Sequence, residues 1–203
     1  MTSRVALDDE DPGTALHRAV TRNDLARAEA LLEEGAAIDG LDDDGNTPLY
    51  ALLKGEPVDA RGLAHATWLV ERGAGLNVRG ASGRTALHWA AKSAPLAFTR
   101  MLVDKGAKVS RDHSEETPLF VCLATWFKDE EVWSFLIEQG CALTDVNDRR
   151  QTALHAAVEN HNAAAVTFLL KRGADRTAKD AHGKTAVGDA LQFAKKLVPL
   201  FSP

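Results

Sequence analysis

RTALHWAA, Arg84 to Ala91, joins a threonine to a short apolar helix-forming run with a histidine three places on. Versions of it return along the chain: GTALHRAV from Gly13, NTPLYALL from Asn46, ETPLFVCL from Glu116, QTALHAAV from Gln151 and KTAVGDAL from Lys184. The six threonines, Thr14, Thr47, Thr85, Thr117, Thr152 and Thr185, are separated by 33, 38, 32, 35 and 33 residues. A second phrase keeps step with the first: LLEEGAAID, LVERGAGLN, LVDKGAKVS, LIEQGCALT and LLKRGADRT, with glycines at 35, 73, 106, 140 and 173. Two phrases locked at one period identify a repeat array.

Each phrase has a local physical reading. A threonine ahead of an apolar run accepts a hydrogen bond from a free backbone N–H, and Pro48 and Pro118 suit a first helical position that needs no donor. A helix is therefore expected after each threonine. The pairs Leu31-Leu32, Leu69-Val70, Leu102-Val103, Leu136-Ile137 and Leu169-Leu170 end a second helix, and the glycine after each pair suits a left-handed terminating residue. Between units runs a short hairpin segment, often closing on Asp-x-x-Gly, as in Asp42 to Gly45 and Asp180 to Gly183.

This pattern resembles the ankyrin repeat over roughly Asp9 to Pro203, with repeats at about 9–41, 42–79, 80–111, 112–146 and 147–179 and a closing cap at 180–203. The resemblance implies one all-α domain, an ankyrin-repeat solenoid of stacked helix-turn-helix units with short β-hairpin connections, whose core exists only by stacking. Repeats two and four are longer, with extra residues between their helices around Lys54 to Asp59 and Thr125 to Lys128. Tip glycines are missing at Glu115 and Arg150, so the tips of repeats four and five are expected to be remodelled.

Composition excludes little but orders the rest. No stretch approaches the length of a membrane span, the first twenty residues lack a signal-peptide core, and the two cysteines form no CxxC, so a cytoplasmic location without disulfides is expected. Residues 1–79 carry 15 acidic against 8 basic side chains and residues 147–203 carry 5 against 9, so the chain is acidic early and basic late. Phosphate-loop, zinc-protease, nucleophile-elbow and complete calcium-loop motifs are absent, so no enzyme, cofactor, metal or nucleic-acid role is expected. His17, His88 and His155 fall in the repeated phrase. At a stacking distance of roughly 10 Å per repeat they lie too far apart to share a metal with ligand bonds of about 2 Å, so hydrogen bonds to neighbouring backbone are expected of them. His65, His113, His161 and His182 have no repeated setting and are expected at or near the surface.

The resemblance further implies a non-catalytic module that binds another protein, monomeric when unbound, through its concave groove and hairpin tips. Carried over by alignment, the contact positions are Asp43, Asp44, Asn46 and Lys54 in repeat two. Repeat three supplies Ser82, Arg84, Trp89, Lys92 and Ser93; repeat four supplies His113, Glu116 and Thr125; repeat five supplies Arg149, Gln151, Glu159 and Asn160. Small arrays of this kind look like bacterial proteins that neutralise a cognate effector or toxin, and the acidic first half suits a basic partner. A scaffold or homodimer using the apolar tail Leu197 to Phe201 is the alternative. Register places Trp68, Phe135 and Trp133 in the packing layer. Trp126 and Phe127, in the insert of repeat four, either fold back as a lid or face a partner as an aromatic pair of the kind interfaces favour.

Overall fold

The computed structural model describes residues 12–54, 58–125 and 129–201. Among these residues the chain forms eleven α-helices and one 3-10 segment, with no sheet. The helices that follow the threonine phrase are α1 (Pro12–Thr21), α3 (Pro48–Lys54), α5 (Ala86–Ser93), α7 (Pro118–Leu123), α9 (Ala153–Glu159) and α11 (Ala186–Phe193). Their partners are α2 (Leu25–Glu33), α4 (Ala60–Glu71), α6 (Leu96–Asp104), α8 (Glu130–Glu138) and α10 (Ala163–Lys171), with the 3-10 segment Lys195–Phe201 closing the last unit.

The expected start and stop signals operate. Thr47, Thr117 and Thr185 accept hydrogen bonds from the N–H groups of Tyr50, Phe120 and Gly188 at 3.2, 3.3 and 3.1 Å. Each second helix ends in a glycine at positive φ, from 82° at Gly173 to 105° at Gly140. The next residue then bonds back across the end, as in Ala36 to the Leu31 carbonyl and Cys141 to the Leu136 carbonyl. A side chain at such a glycine would strain the left-handed turn, so this residue type recurs where the sequence phrase does.

Stacking buries what the phrases supply. Leu16, Leu49, Leu87, Leu119 and Leu154 are all at most 1% exposed, and Leu69, Leu102, Leu136 and Leu169 of the second helices are fully buried. Each such side chain contributes roughly 1.5–3 kcal/mol by leaving water. Trp133 is fully buried with its ring edge-on to Phe168 at 5.2 Å, and Phe135 is core. Trp68 is not: it is half-buried, its outer face covered by the Arg72 guanidinium at 4.0 Å. His65 also departs from expectation, being buried with Nδ1 3.2 Å from the Val20 carbonyl of the preceding unit.

The apolar tail is not a free end. Leu197 and Phe201 are buried, and Arg176 donates to the Phe201 carbonyl at 3.0 Å, which ties the 3-10 segment onto the last full repeat. The inserts of repeats two and four lie between α3 and α4 and between α7 and α8, where Asp59 and Asp129 cap the second helices by accepting from Gly62, Glu131 and Val132.

Candidate partner-binding surface

Five hairpin tips share one hydrogen-bond plan. The first tip residue donates its N–H to the carbonyl of the fifth: Asp42 to Asn46, Gly80 to Arg84, Asp112 to Glu116, Asn147 to Gln151 and Asp180 to Lys184, all at 2.9–3.0 Å. In four tips the first side chain also accepts from the N–H groups of the third and fifth residues, for example Asp112 Oδ1 from Ser114 and Glu116 at 2.8 and 3.0 Å. Repeat three has Gly80 there because a Cβ would meet the Tyr50 ring at 2.8 Å. The fourth residue is left-handed throughout: φ is 73° at Gly45, 75° at Gly83 and Gly183, 61° at Glu115 and 58° at Arg150. The expected remodelling of tips four and five is therefore absent. Their backbone is held in the common shape by its hydrogen bonds, at the steric cost of a Cβ in a conformation that suits glycine.

The tips are also joined to one another. His113 N–H donates to the Ser82 carbonyl at 3.0 Å, Asp148 to Ser114 at 2.9 Å and Ala181 to Arg149 at 2.9 Å. Behind them runs a row of histidines. His17, His88 and His155 place Nε2 at 2.6, 3.2 and 3.2 Å from the carbonyls of Asn46, Glu116 and Lys184 in the following unit. A carbonyl only accepts, so Nε2 carries the proton. In His88 and His155 the other nitrogen, Nδ1, accepts the N–H of Thr85 or Thr152 at 3.1 and 3.2 Å. Burial pushes the His88 pKa from 6.5 down to about 4, so this ring is neutral at ordinary pH. These histidines are joints between repeats.

The side chains carried over from the sequence fall into two groups. Asp43, Asp44, Lys54, Ser82, His113, Arg149 and Glu159 are exposed, and Lys92 is half-buried on the same side. The others hold the scaffold. Asn46 is buried and donates to the Asp42 carboxylate, and Gln151 is buried between Asn147 and Glu159. Arg84 is spent on Asp112 and Glu116 of the next repeat at 2.9 and 3.1 Å; Asp112 is nearly inaccessible. Burial and the nearby Asp112 charge raise the Glu116 pKa. Trp89 is 8% exposed and packs edge-on to Tyr50 at 5.3 Å, while the Tyr50 hydroxyl meets Ser82 Oγ at 3.0 Å. Ser93 is buried against the Leu53 carbonyl, and Thr125 and Asn160 bond carbonyls of their own units. Trp126 and Phe127 lie outside the described residues.

Sequence reading missed Glu115, Arg150 and Asp148, exposed members of the same tip row. Alignment of the tips was the available signal for Asp148, which shares the register of Asp43 and His113, whereas Glu115 and Arg150 fall where the other tips have glycine. Burial pushes the Cys122 thiol well above its usual pKa and Cys141 up to about 11, so both are protonated at neutral pH. No group of three or more potential metal ligands forms among the described residues, and no described helix is long and apolar enough to cross a membrane.

Comparison with known proteins agrees with this geometry. Family models described as ankyrin repeats match residues 59–147 (three copies) and 136–187 (many copies). The chain is 29% identical over 190 residues to a transient receptor potential cation channel subfamily A member 1 homolog of Caenorhabditis elegans, covering 93% of this chain and 15% of that one. It is 29% identical to human Rabankyrin-5 (92% and 16%) and 30% identical to inversin of Canis lupus familiaris (83% and 15%). It thus spans about a sixth of the length of these relatives. Among solved structures, an ankyrin repeat domain from Acinetobacter baumannii superposes with a TM-score of 0.71 at 25% identity, covering 91% of this chain and 94% of that one. A chain in the complex of a predatory endopeptidase with an immunity protein from Bdellovibrio bacteriovorus gives 0.73 at 23% identity, with 92% and 95% covered. With the repeated caps, the left-handed glycines, the tip plan and two family models spanning residues 59–187 in agreement, this chain belongs to the ankyrin-repeat family.

Proposed function

We propose that the chain is a non-catalytic module that binds another protein with its hairpin tips and concave face. One observation carries this reading: the tips keep one backbone geometry while no two of them present the same pair of residues. The second and third tip residues read Asp43-Asp44, Ala81-Ser82, His113-Ser114, Asp148-Arg149 and Ala181-His182, exposed in every case except the half-buried Ser114. Constant framework with varied outward chemistry is what specific recognition requires, because the framework spares the ordering cost of a flexible loop.

Such a surface acts on its partner by covering it, so neutralisation of a cognate bacterial effector or toxin is the narrower form of the proposal. The alternative of self-assembly through the C-terminal tail lacks its motivating feature, since Leu197 and Phe201 are buried. Affinity capture followed by mass spectrometry, repeated with Asp43→Lys/Asp44→Lys and with Arg149→Glu, tests the reading. A partner held by the parent protein and lost by a folded tip variant supports it; partners retained by both folded variants refute it. Inhibition of a captured enzyme or toxin at equal molar ratio establishes the narrower form, and full activity of the bound partner rejects it.

A further inference from the structure

The closing unit breaks a rule that the first five keep. Two residues after its threonine each of those units buries a leucine, and six residues after it Val20, Leu53, Ala91, Leu123 and Val158 are at most 1% exposed. In α11 the same two positions are Val187, half-buried, and Leu191, 57% exposed. Three residues after the threonine the earlier units carry His17, Tyr50, His88, Phe120 and His155, all buried. Four of these reach the following unit, the histidines at its carbonyls and Tyr50 at Ser82 Oγ. The closing unit has Gly188 there, where an added Cβ would meet only Thr185 Oγ1, at 3.5 Å. Residues 187, 188 and 191 share one helix face, so α11 presents an aliphatic stripe with a notch in its middle. A terminal repeat ordinarily turns a polar outer face to water, which makes this stripe a stacking surface left open.

We propose that this face of α11 seats an acidic amphipathic helix of a partner protein, added to the stack as one more element; it is a contact surface separate from the tips. Charge selects the occupant. Lys179 stands just before α11 and Lys195 and Lys196 just after it, all exposed and without an ion pair among the described residues. Lys184, also exposed, gives Nζ to Gln192 Oε1 at 3.0 Å and lies 3.9 Å from Asp189. The carboxylates of this unit are engaged: Asp180 accepts the N–H groups of His182 and Lys184 at 2.8 and 2.9 Å, and Asp189 is buried. In the preceding repeat, Asp175 accepts from Thr177 at 2.7 Å and Glu159 from Gln151. The 3-10 segment runs from Lys195 to Phe201, whose carbonyl takes Arg176, so Lys195 stands about 12 Å from that far end. A second copy of the chain would set lysine against lysine across this face, which disfavours self-pairing. Helix α11 has eight residues and is about 12 Å long. One acidic helix laid along it meets cations at both ends while its own apolar face covers Val187 and Leu191. The notch at Gly188 admits the approach of about 8 Å that closely packed helices make. At the end of α11 a cleft of about 580 Å³, lined by His161, Phe193, Lys195 and Lys196 among others, continues the cationic and apolar surface.

The test uses a fluorescein-labelled peptide of about four helical turns, with leucine at alternating three- and four-residue spacing and glutamate between. Its counterparts carry lysine in place of glutamate, or a central proline that prevents a helix. Anisotropy titrations of the full chain at low and near-physiological salt should show the acidic helix binding saturably and more tightly at low salt. Leu191→Glu and Gly188→Gln are each expected to weaken it about tenfold, and Lys195→Gln/Lys196→Gln by about threefold with a smaller salt dependence. Leu191 is exposed and Gly188 has open space, so both variants should keep the parent's thermal unfolding midpoint. Leu41→Glu removes a side chain 53% exposed at the other end of the array and should leave binding within about twofold of the parent. Equal loss in the Leu41 variant, no loss in Leu191→Glu, preference for the lysine or the proline peptide, or no saturable binding at low salt each overturns the proposal. So does a dimer in light scattering that Leu191→Glu abolishes, which would make a second copy the occupant. Co-sedimentation with phosphatidylserine vesicles that Leu191→Glu abolishes overturns it in favour of a lipid surface. The two readings fail separately: a captured partner lost in tip variants, alongside an acidic helix that never binds, removes this surface and leaves protein binding standing.

Discussion

Acidification tests the joint between repeats three and four. His88 is fully buried, gives its Nε2 proton to the Glu116 carbonyl and receives the Thr85 N–H at Nδ1, with the Thr85 hydroxyl 3.0 Å from the same nitrogen, so a second ring proton must displace the Thr85 N–H and place a charge in the core. Burial is the main reason its pKa falls from 6.5 to about 4, with Arg84 and Arg79 adding to the effect and the Glu116 carbonyl and Asp112 opposing it. Because the folded value is the lower one, the unfolded chain takes up the proton first. The stabilisation is full above about pH 6.5 and is lost as pH falls toward 4. The gap corresponds to about 3 kcal/mol in all, of which about 2 kcal/mol is gone at pH 5. Glu116, whose pKa is raised, acts in the opposite sense over neighbouring pH, so the decisive quantity is a difference between proteins. Glutamine at position 88 keeps an acceptor and a donor but does not titrate. Urea unfolding of the parent and of His88→Gln, followed by circular dichroism at pH 7 and pH 5, should show the parent losing about 2 kcal/mol more than the variant. Parallel losses in the two proteins would refute the assignment of a neutral, proton-averse His88.

Three further outcomes are expected. Glu115→Gly and Arg150→Gly relieve left-handed residues that carry a Cβ, so each should raise stability by about 1 kcal/mol in thermal unfolding; a fall in midpoint would show that their side chains repay the strain. Arg84→Ala leaves Asp112 charged, buried and unpaired, and should cost about 3–5 kcal/mol, with Asp112→Asn recovering part of the loss in the same background. Trp133→Ala removes a fully buried ring and its edge contact with Phe168; a loss of about 3–5 kcal/mol in urea unfolding is expected, and a loss under 1 kcal/mol would mean the layer is not close-packed.

The legible parts of this protein are those whose physics is local. A threonine, a proline at the first helical position and a glycine after a leucine pair act within a few residues, so helix boundaries were readable before any contact was known. Register extended that reading to the histidines, whose shared position in the phrase indicates a shared neighbour. Register failed where neighbouring repeats differ. Trp68 sits in the row of Phe135 and Phe168 yet stays half-buried, because Arg72 rather than another repeat covers its face. Glu115 and Arg150 looked like altered tips because glycine was missing, but hydrogen bonds accepted by the Asp112 and Asn147 side chains and the link between tips hold the backbone in place.

By itself the sequence determined the period, the helix pairs, the tips and hence the family, since each unit carries its own caps and turns and the copies confirm one another. Tertiary structure decided which polar residues are spent and which are presented. Arg84 and Asp112 are 28 residues apart and Val20 and His65 are 45 apart; such pairs exist only after stacking brings one unit against the next. It also decided where charges of each sign fall. Net charge sums over every surface at once, whereas the charged residues of α1, α3 and α5 are Arg18, Lys54 and Lys92, set inside the acidic end of the chain.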